Sequence, residues 1–263
     1  MKQAMILAAG LGTRLKPLTD TMPKALVPVG GKPLLEWNIR KLMAQGYDHF
    51  VINIHHFAQQ IVDYVGSQDY APLVRFSDET DGLLETGGGL KKAETLFADE
   101  SPILIHNVDI LDNVDYDWFA RQHQSDEDAV LLVSQRKTKR YLLFDNGMRL
   151  MGWKNIETGE VKSPFPWLRE AEITIDDDLN VKTSNLKSQI SNLNAFAFSG
   201  IHSFSPRLFP LMQRFPDRFS IIDFYLSVCH RAPIVGLVKS DLSVLDVGKL
   251  DSLEQAETFI KQL

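Results

Sequence analysis

A single cysteine stands in the 263 residues, so no disulfide can form within the chain. That residue, Cys229, lies in the apolar, helix-like stretch IIDFYLSVCH, where an inert core thiol is the expected reading. No apolar run approaches the ~18 residues that a transmembrane helix needs. The run after Met1 is too short for a secretory signal and passes at once into a glycine turn, so no membrane partner is expected and a cytosolic location is the simplest reading. Basic excess is missing too: a net charge of −6 argues against a general nucleic-acid binder, which shows a basic face. A few local cations would still serve a small anionic ligand. There is no internal repeat and no low-complexity tract. What remains is an ordinary globular composition, 44% hydrophobic and 24% charged, with chain enough for one large or two modest domains.

Strand-like and helix-like stretches alternate over residues 1–125. Ala4 to Ala9 is a short apolar run bounded by Gly10 and reads as a buried strand. Pro33 opens a helical pattern carried by Leu34, Leu35, Ile39, Leu42 and Met43, which Gly46 ends. Further strands are read at His49 to Ile54, Leu73 to Phe76 and Pro102 to His106, with helices at Ala58 to Val65 and Gly87 to Leu96. This alternation predicts an α/β fold, a Rossmann-like, mostly parallel sheet with helices on both faces. In such sheets ligands gather outside the carboxyl ends of the strands. The loop after the first strand, the Glu85–Gly89 turn and Asn107–Asp109 would then face one crevice.

After residue 128 the rhythm changes. Short strands are read at Ala129 to Ser134, Tyr141 to Phe144 and Met148 to Trp153, the last two joined by the hairpin signal Asp145-Asn146-Gly147. Residues 155–192 are polar and weakly patterned and read as a long loop or partly ordered insertion. Leu193 to Phe204, Ile234 to Val238 and Ser243 to Leu245 read as strands, Pro206 to Arg214 and Ser220 to His230 as helices, and a closing helix spans about 250–263. One domain with two halves, about 1–125 and 128–245, is the expected organisation.

The stretch LAAGLGTRLKPLTDTMPKALVPVGGKPLLEW, residues 7–37, follows a buried strand with a flexible, cationic loop. A dinucleotide fingerprint needs a third glycine where Leu15 stands, and a Walker-type loop fails because Gly31-Lys32 is followed by Pro33 and Leu26 replaces its first glycine. Two glycines exposing backbone N–H groups, then Thr13, Arg14 and Lys24, suit an anion: successive amides form a concavity and a guanidinium grips phosphate oxygens.

The whole stretch resembles the signature of sugar-1-phosphate nucleotidyltransferases, G-x-G-T-R-L-x-P-L-T followed by P-K-x-L-x-P-V and K-P. Gly10, Gly12, Thr13, Arg14, Leu15, Pro17, Leu18 and Thr19 fill the first part; Pro23, Lys24, Leu26, Pro28, Val29, Lys32 and Pro33 fill the rest. The resemblance continues through Glu85-Thr86-Gly87-Gly88-Gly89, Asn107–Asp109, the hairpin ending in Lys154, Ser199-Gly200-Ile201 and Asp246-Val247-Gly248. It covers nearly the whole chain except 155–192, and it implies a GT-A-like nucleotidyltransferase fold whose first half binds nucleotide and whose second half binds sugar.

That family joins a sugar 1-phosphate to the α-phosphate of a nucleoside triphosphate and releases pyrophosphate. Its nucleophile is already an anion, so the site needs alignment and charge neutralisation rather than a general base. The resemblance implies that Arg14 and Lys24 are catalytic, and that Leu7, Ala8, Ala9, Gly10, Gly12, Thr13 and Arg14, with Gly87 and Gly88, bind the nucleotide. Lys154 and Gly200 would bind the sugar phosphate, and Asp109 and Asp246 would hold magnesium, which often takes one or two carboxylates plus substrate phosphates. Sequence spacing alone would not pair those aspartates. Because side chains alternate along a strand, Lys154 is expected in the cleft and Trp153, standing where the family has glutamate, in the core. Adjacent His55 and His56 would point to opposite faces and share no metal. Within the family the Leu84–Gly89 run is similar to that of uridylyltransferases acting on N-acetylmuramate 1-phosphate, with guanylyltransferases for mannose or heptose 1-phosphate close by. Val108, in place of a glycine, and Trp153 would suit a non-catalytic nucleotide-sugar-binding paralogue. The joint presence of Arg14, Lys24, Asp109, Lys154 and Asp246 favours activity.

Overall fold

In the computed structural model, which describes residues 1–184 and 192–262, the first strand, β1 (Gln3–Leu7), is buried along its whole length. A near-continuous apolar run of this kind suits a strand covered on both faces. The loop after it closes through the short pair β2 (Pro28–Val29) and β3 (Lys32–Pro33), and α1 (Leu34–Ala44) begins at once. Then follow β4 (His49–Ile54), α2 (Ala58–Gly66), β5 (Val74–Asp78), α3 (Glu85–Lys92), β6 (Ile103–Asn107), β7 (Ile110–Asp112) and α4 (Tyr116–Gln122). β1 lies between β4 and β6, both parallel to it, and β5 is parallel to β4. Met5 and Leu7 enter one core layer with Leu90 of α3; Ala4 and Ile6 enter the other with Ile39 of α1, Ile61 of α2 and Phe119 of α4. The period-2 alternation along β1 thus feeds two hydrophobic layers.

The second half supplies β8 (Ala129–Ser134), β9 (Arg140–Phe144), β10 (Leu150–Asn155), β11 (Val161–Lys162), α5 (Pro166–Arg169), β12 (Glu172–Ile175), β13 (Val181–Ser184) and β14 (Asn194–Phe204). After these come α6 (Phe209–Met212), α7 (Ile221–Val228), β15 (Ile234–Val238), β16 (Val244–Asp246) and α8 (Asp251–Phe259). β14 runs antiparallel to β6, β8 and β9, so the sheet is mixed and passes through both halves in the order β11-β10-β9-β14-β6-β1-β4-β5. The hairpin read from Asp145-Asn146-Gly147 joins β9 to β10.

The expected loop at 155–192 is the main departure. β11 extends the sheet beside β10, and β12 and β13 form a separate antiparallel pair. Leu168, Ala171 and Ile173 bury themselves against Tyr141, Leu143 and Met151 on the far side of the β9–β10 hairpin. Residues 185–191 of that segment, and residue 263 of the expected closing helix, lie outside the described residues. No helix among those described is long and apolar enough to cross a membrane.

Candidate active site

Leu7, Asn53 and Asn107 stand at one level, because β1 pairs with β4 and β6 in registers that place Leu7 opposite both asparagines. These strand ends floor a cleft of about 350 Å³, walled by Ala9, Gly10 and Lys24 on one side and Leu83, Glu85 and Thr86 on the other. A carboxyl-end crevice of this kind is where a parallel sheet takes its ligand. A larger cavity, about 650 Å³, lies against α1 and β7 and contains none of the predicted site residues.

Gly12, at φ +64°, turns the cationic loop. Its carbonyl accepts from Leu15 N (2.8 Å) and from Thr19 Oγ1 (2.9 Å), and Leu15 is fully buried beneath. The loop is therefore anchored while Thr13 and Arg14 stay exposed. A Cβ on Gly10 would meet nothing within 4 Å, so the backbone there is open to close approach by a ligand. Ala8 turns its side chain into the core and contributes through its N–H, which donates to Asn53 Oδ1 at 2.6 Å.

Lys24, largely buried, forms an ion pair with Asp109. β7 and β16 pair antiparallel with Ile110 opposite Asp246, and Val247 N donates to the Asp109 carbonyl at 2.7 Å. This pairing brings the two distant aspartates to neighbouring positions. Arg14 joins them: a Cβ on Gly248 would lie 2.5 Å from Asp246 Oδ1 and 2.7 Å from Arg14 Nη2. Lys24 and Asp109 therefore line the cleft, and Asp246 and Arg14 stand close by at Gly248. Among the described residues no group of three or more His, Cys, Asp or Glu side chains could hold a metal. Two carboxylates beside a phosphate-binding loop nonetheless fit magnesium, which takes oxygen donors and completes its shell with phosphates and water.

Three placements correct the sequence reading. Gly87 and Gly88 lie inside α3, and both N–H groups donate to Phe219 O, at 2.9 and 3.2 Å. A Cβ on Gly88 would come 2.0 Å from Asp217 O, so these glycines admit the 217–219 backbone rather than a base; Glu85 and Thr86 line the cleft instead. Lys154 faces away from the cleft: its Nζ donates to Gly159 O at 2.8 Å on the side of the small β9–β10 core. Trp153 takes the opposite face and lines a second cavity, with Lys162 Nζ 5.4 Å from its ring centroid. Trp153 also packs against the main core, as expected of it, and only the placement of Lys154 departs from the expectation. Gly200, at φ +83° where β14 shifts register, would place a Cβ 2.7 Å from Asn107 Nδ2. It makes room for Asn107, which lines the cleft.

Asn53 and Glu79 escaped the sequence reading. Asn53 Nδ2 donates to Glu79 Oε1 at 2.7 Å, Leu84 N donates to Glu79 Oε2 at 3.0 Å, and His55 Nδ1 lies 2.6 Å from Glu79 O. Glu79 is fully buried, and a Cβ on Gly89 would strike its carboxylate at 2.5 Å. A hydrogen-bonded chain thus runs from Ala8 to the start of α3, tying the two walls of the cleft together. The signal was present, a buried polar residue interrupting the apolar run of β4 one position before its end, but a strand also accommodates such a residue without function. Glu85 carries φ +63° at the cleft and pairs with Arg218 at 2.9 Å. A strained non-glycine residue lining a cleft is a mark of a binding site. Val108 is not among the residues with positive φ and is 4% exposed, so valine fits its place without strain. Cys229 is the expected core thiol, pushed up to about 12 by burial.

The pattern described by these residues matches a known one. The sequence profile of the nucleotidyl transferase family fits residues 3–144, and the chain belongs to that family. The N-acetylmuramate alpha-1-phosphate uridylyltransferase of Caulobacter vibrioides is 43% identical over 111 residues, which are 41% of this chain and 46% of that protein. The mannose-1-phosphate guanyltransferase of Emericella nidulans is 32% identical over 144 residues, 53% of this chain and 39% of that protein. The matches span about half the length of these curated relatives, or less. The crystal structure of HddC from Yersinia pseudotuberculosis complexed with GMP-PN superposes with a TM-score of 0.64 at 23% identity, over 99% of this chain and 100% of that one. At that identity the likeness is one of fold.

Proposed function

We propose that the chain is a sugar-1-phosphate nucleotidyltransferase, and that its reaction joins N-acetylmuramate 1-phosphate to UTP with release of pyrophosphate. The observation that carries the class is the Lys24–Asp109 pair on the wall of the strand-end cleft, with Asp246 and Arg14 brought close to it by the β7–β16 pairing. The names of the 43% identical relatives favour the substrate pair. An oxygen of the sugar phosphate attacks the α-phosphorus, and the bond from that phosphorus to the bridging oxygen of the β-phosphate breaks. Arg14, exposed on its anchored loop, meets the triphosphate and offsets the charge gathering on the leaving pyrophosphate. Lys24 lies between the loop and Asp109 and neutralises repulsion between the two reacting phosphates. Leu7, Ala9 and the open backbone at Gly10 receive the nucleoside, with Thr86 and the Glu85 turn across from them. Asp109 and Asp246 would hold magnesium, whose charge draws the phosphates into line when bound.

A product of this kind is an activated sugar for cell-wall synthesis, and the cytosol is the matching compartment. The guanylyl transfer named for the 32% identical relative is the second reading for the base. Pyrophosphate release across a panel of four triphosphates and several sugar 1-phosphates, with magnesium and with a chelator, tests the proposal. Magnesium-dependent release with one preferred pair supports it. Tight nucleotide binding with no release from any pair would leave the non-catalytic paralogue instead.

A further inference from the structure

Beside the nucleotide cleft lies a cavity of about 490 Å³ between the β9–β10 hairpin, β11 and the start of α7. It shares Ser220 with the nucleotide cleft and none of the reacting residues Arg14, Lys24, Asp109 or Asp246. A sugar bound with its 1-phosphate at Lys24 would extend toward this cavity with the edge remote from that phosphate. The cations lining it meet a substituent of the sugar rather than the phosphate that reacts.

The lining has a definite charge pattern. Lys162 is matched by Asp223 at 2.9 Å. Arg136 and Arg140 form no ion pair among the described residues; Arg136 Nη2 is held by Phe198 O at 3.0 Å, which fixes its plane and leaves its other N–H groups available. Glu160 also lines the cavity and has no cationic partner among the described residues. Two unmatched guanidiniums against one unmatched carboxylate leave a single positive charge to be met by the ligand. Trp153 and Phe198 supply apolar faces in the same cavity, which suit the C–H face of a sugar ring. A guanidinium offers a fork of N–H donors that fits a carboxylate in two parallel hydrogen bonds.

We infer that Arg136 and Arg140 are specificity residues that recognise a carboxylate carried by the acceptor sugar. The inference rests on the transferase reading above and adds the residues that select the acceptor. Discrimination comes from the charge-assisted, two-pronged contact that a carboxylate makes with a guanidinium and a neutral sugar does not.

The test compares matched sugar 1-phosphates, glucuronate against glucose and N-acetylmuramate against N-acetylglucosamine, each with the triphosphate that supports release. The expected ratio of kcat/KM favours the carboxylate-bearing member by about tenfold or more. Arg140→Gln lowers that ratio by about tenfold, Arg136→Gln lowers it in the same direction, and Arg140→Glu shifts preference toward glucosamine 1-phosphate, whose amine is cationic. Both arginines are exposed, and thermal unfolding checks that each variant is folded. Equal use of both members by the unaltered protein, or a ratio that neither glutamine variant moves, overturns the inference and leaves the transferase reading standing. No release from any pair overturns both.

Discussion

Lys24 and Asp109 already neutralise each other on the cleft wall, so the proposed phosphate and metal would meet a charge pair that exists without them. On the proposed reaction the pair would open on binding, Lys24 turning to the phosphate and the carboxylate becoming available to hold the metal. Removing either side should therefore do more than delete one contact. Lys24→Ala and Arg14→Ala are each expected to lower kcat by about a hundredfold or more, the scale of a lost transition-state stabiliser. Pyrophosphate release by variants of unchanged melting temperature measures it, and near-normal turnover in either would remove that residue from the phosphate site. Asp109→Asn and Asp246→Asn should each abolish most activity, and the double variant should be little worse than either, because residues acting as one unit are not additive. Multiplicative losses would mean that the two carboxylates work separately. Arg14 and Lys24 were legible because a loop of glycines and cations advertises its chemistry locally. The aspartates were legible only through resemblance, since the pairing of β7 with β16 that joins them leaves no mark in their spacing.

At the scale of elements, the alternating first half was read almost complete, because buried parallel strands are short apolar runs and their helices carry a period near 3.6. The segment from Val161 to Ser184 was not. Its strands bury one side chain in two or fewer, against a small separate core: in Glu172–Ile175 only Ile173 is buried, and Glu172 and Thr174 are exposed. The glycines of α3 were misread for a related reason: a triple glycine marks close backbone approach, but sequence does not say what approaches. The approaching chain is Asp217–Phe219, and it fixes the wall that presents Glu85 and Thr86 to the cleft. Gly88→Ala, whose Cβ would lie 2.0 Å from Asp217 O, must push backbone rather than a mobile side chain. Overpacking of this kind costs about 1–3 kcal/mol, or roughly 2–10 °C in a chain of this size, and it should raise KM for the triphosphate as the wall shifts. Gly10→Ala, with open space around the added methyl, should raise KM for the triphosphate while the melting temperature holds. Scanning fluorimetry with steady-state kinetics separates the two; equal melting temperatures would show that α3 does not depend on the 217–219 contact.

Across the whole molecule, β6 and β14 lie side by side where the two halves of the sheet meet, and a line of buried polar groups follows that seam. Asp112 accepts from Tyr116 OH (2.8 Å) and lies 3.1 Å from His106 Nε2, with Lys41 Nζ at 2.5 Å. Burial alone would push its carboxyl up; the hydrogen bond and charge of His106, then Lys41, hold it at about 2. On the neighbouring strand His202 Nδ1 lies 2.7 Å from Tyr225 OH. Burial, and then the charge of His106, push the His202 ring down to about 3, so it stays neutral in the folded protein. An unfolded histidine titrates near 6.5. Between pH 6.5 and about 3 the unfolded chain thus binds the proton that the folded one refuses, and stability falls as pH falls. The slope from one such group is at most about 1.4 kcal/mol per pH unit. Asp112 acts lower down: its contribution is complete above the ordinary carboxylate range near ~4 and is lost only as pH falls toward about 2. The window from pH 6.5 to about 4.5 therefore belongs to buried histidine rather than to that carboxylate. His123, also pushed down by burial, leaves a residual slope. Melting temperatures measured from pH 7 to 4.5 should fall for the unaltered protein and fall less steeply for His202→Gln, which keeps a partner for Tyr225 without a titrating ring. Parallel curves for the two proteins would show that the proton is taken up elsewhere.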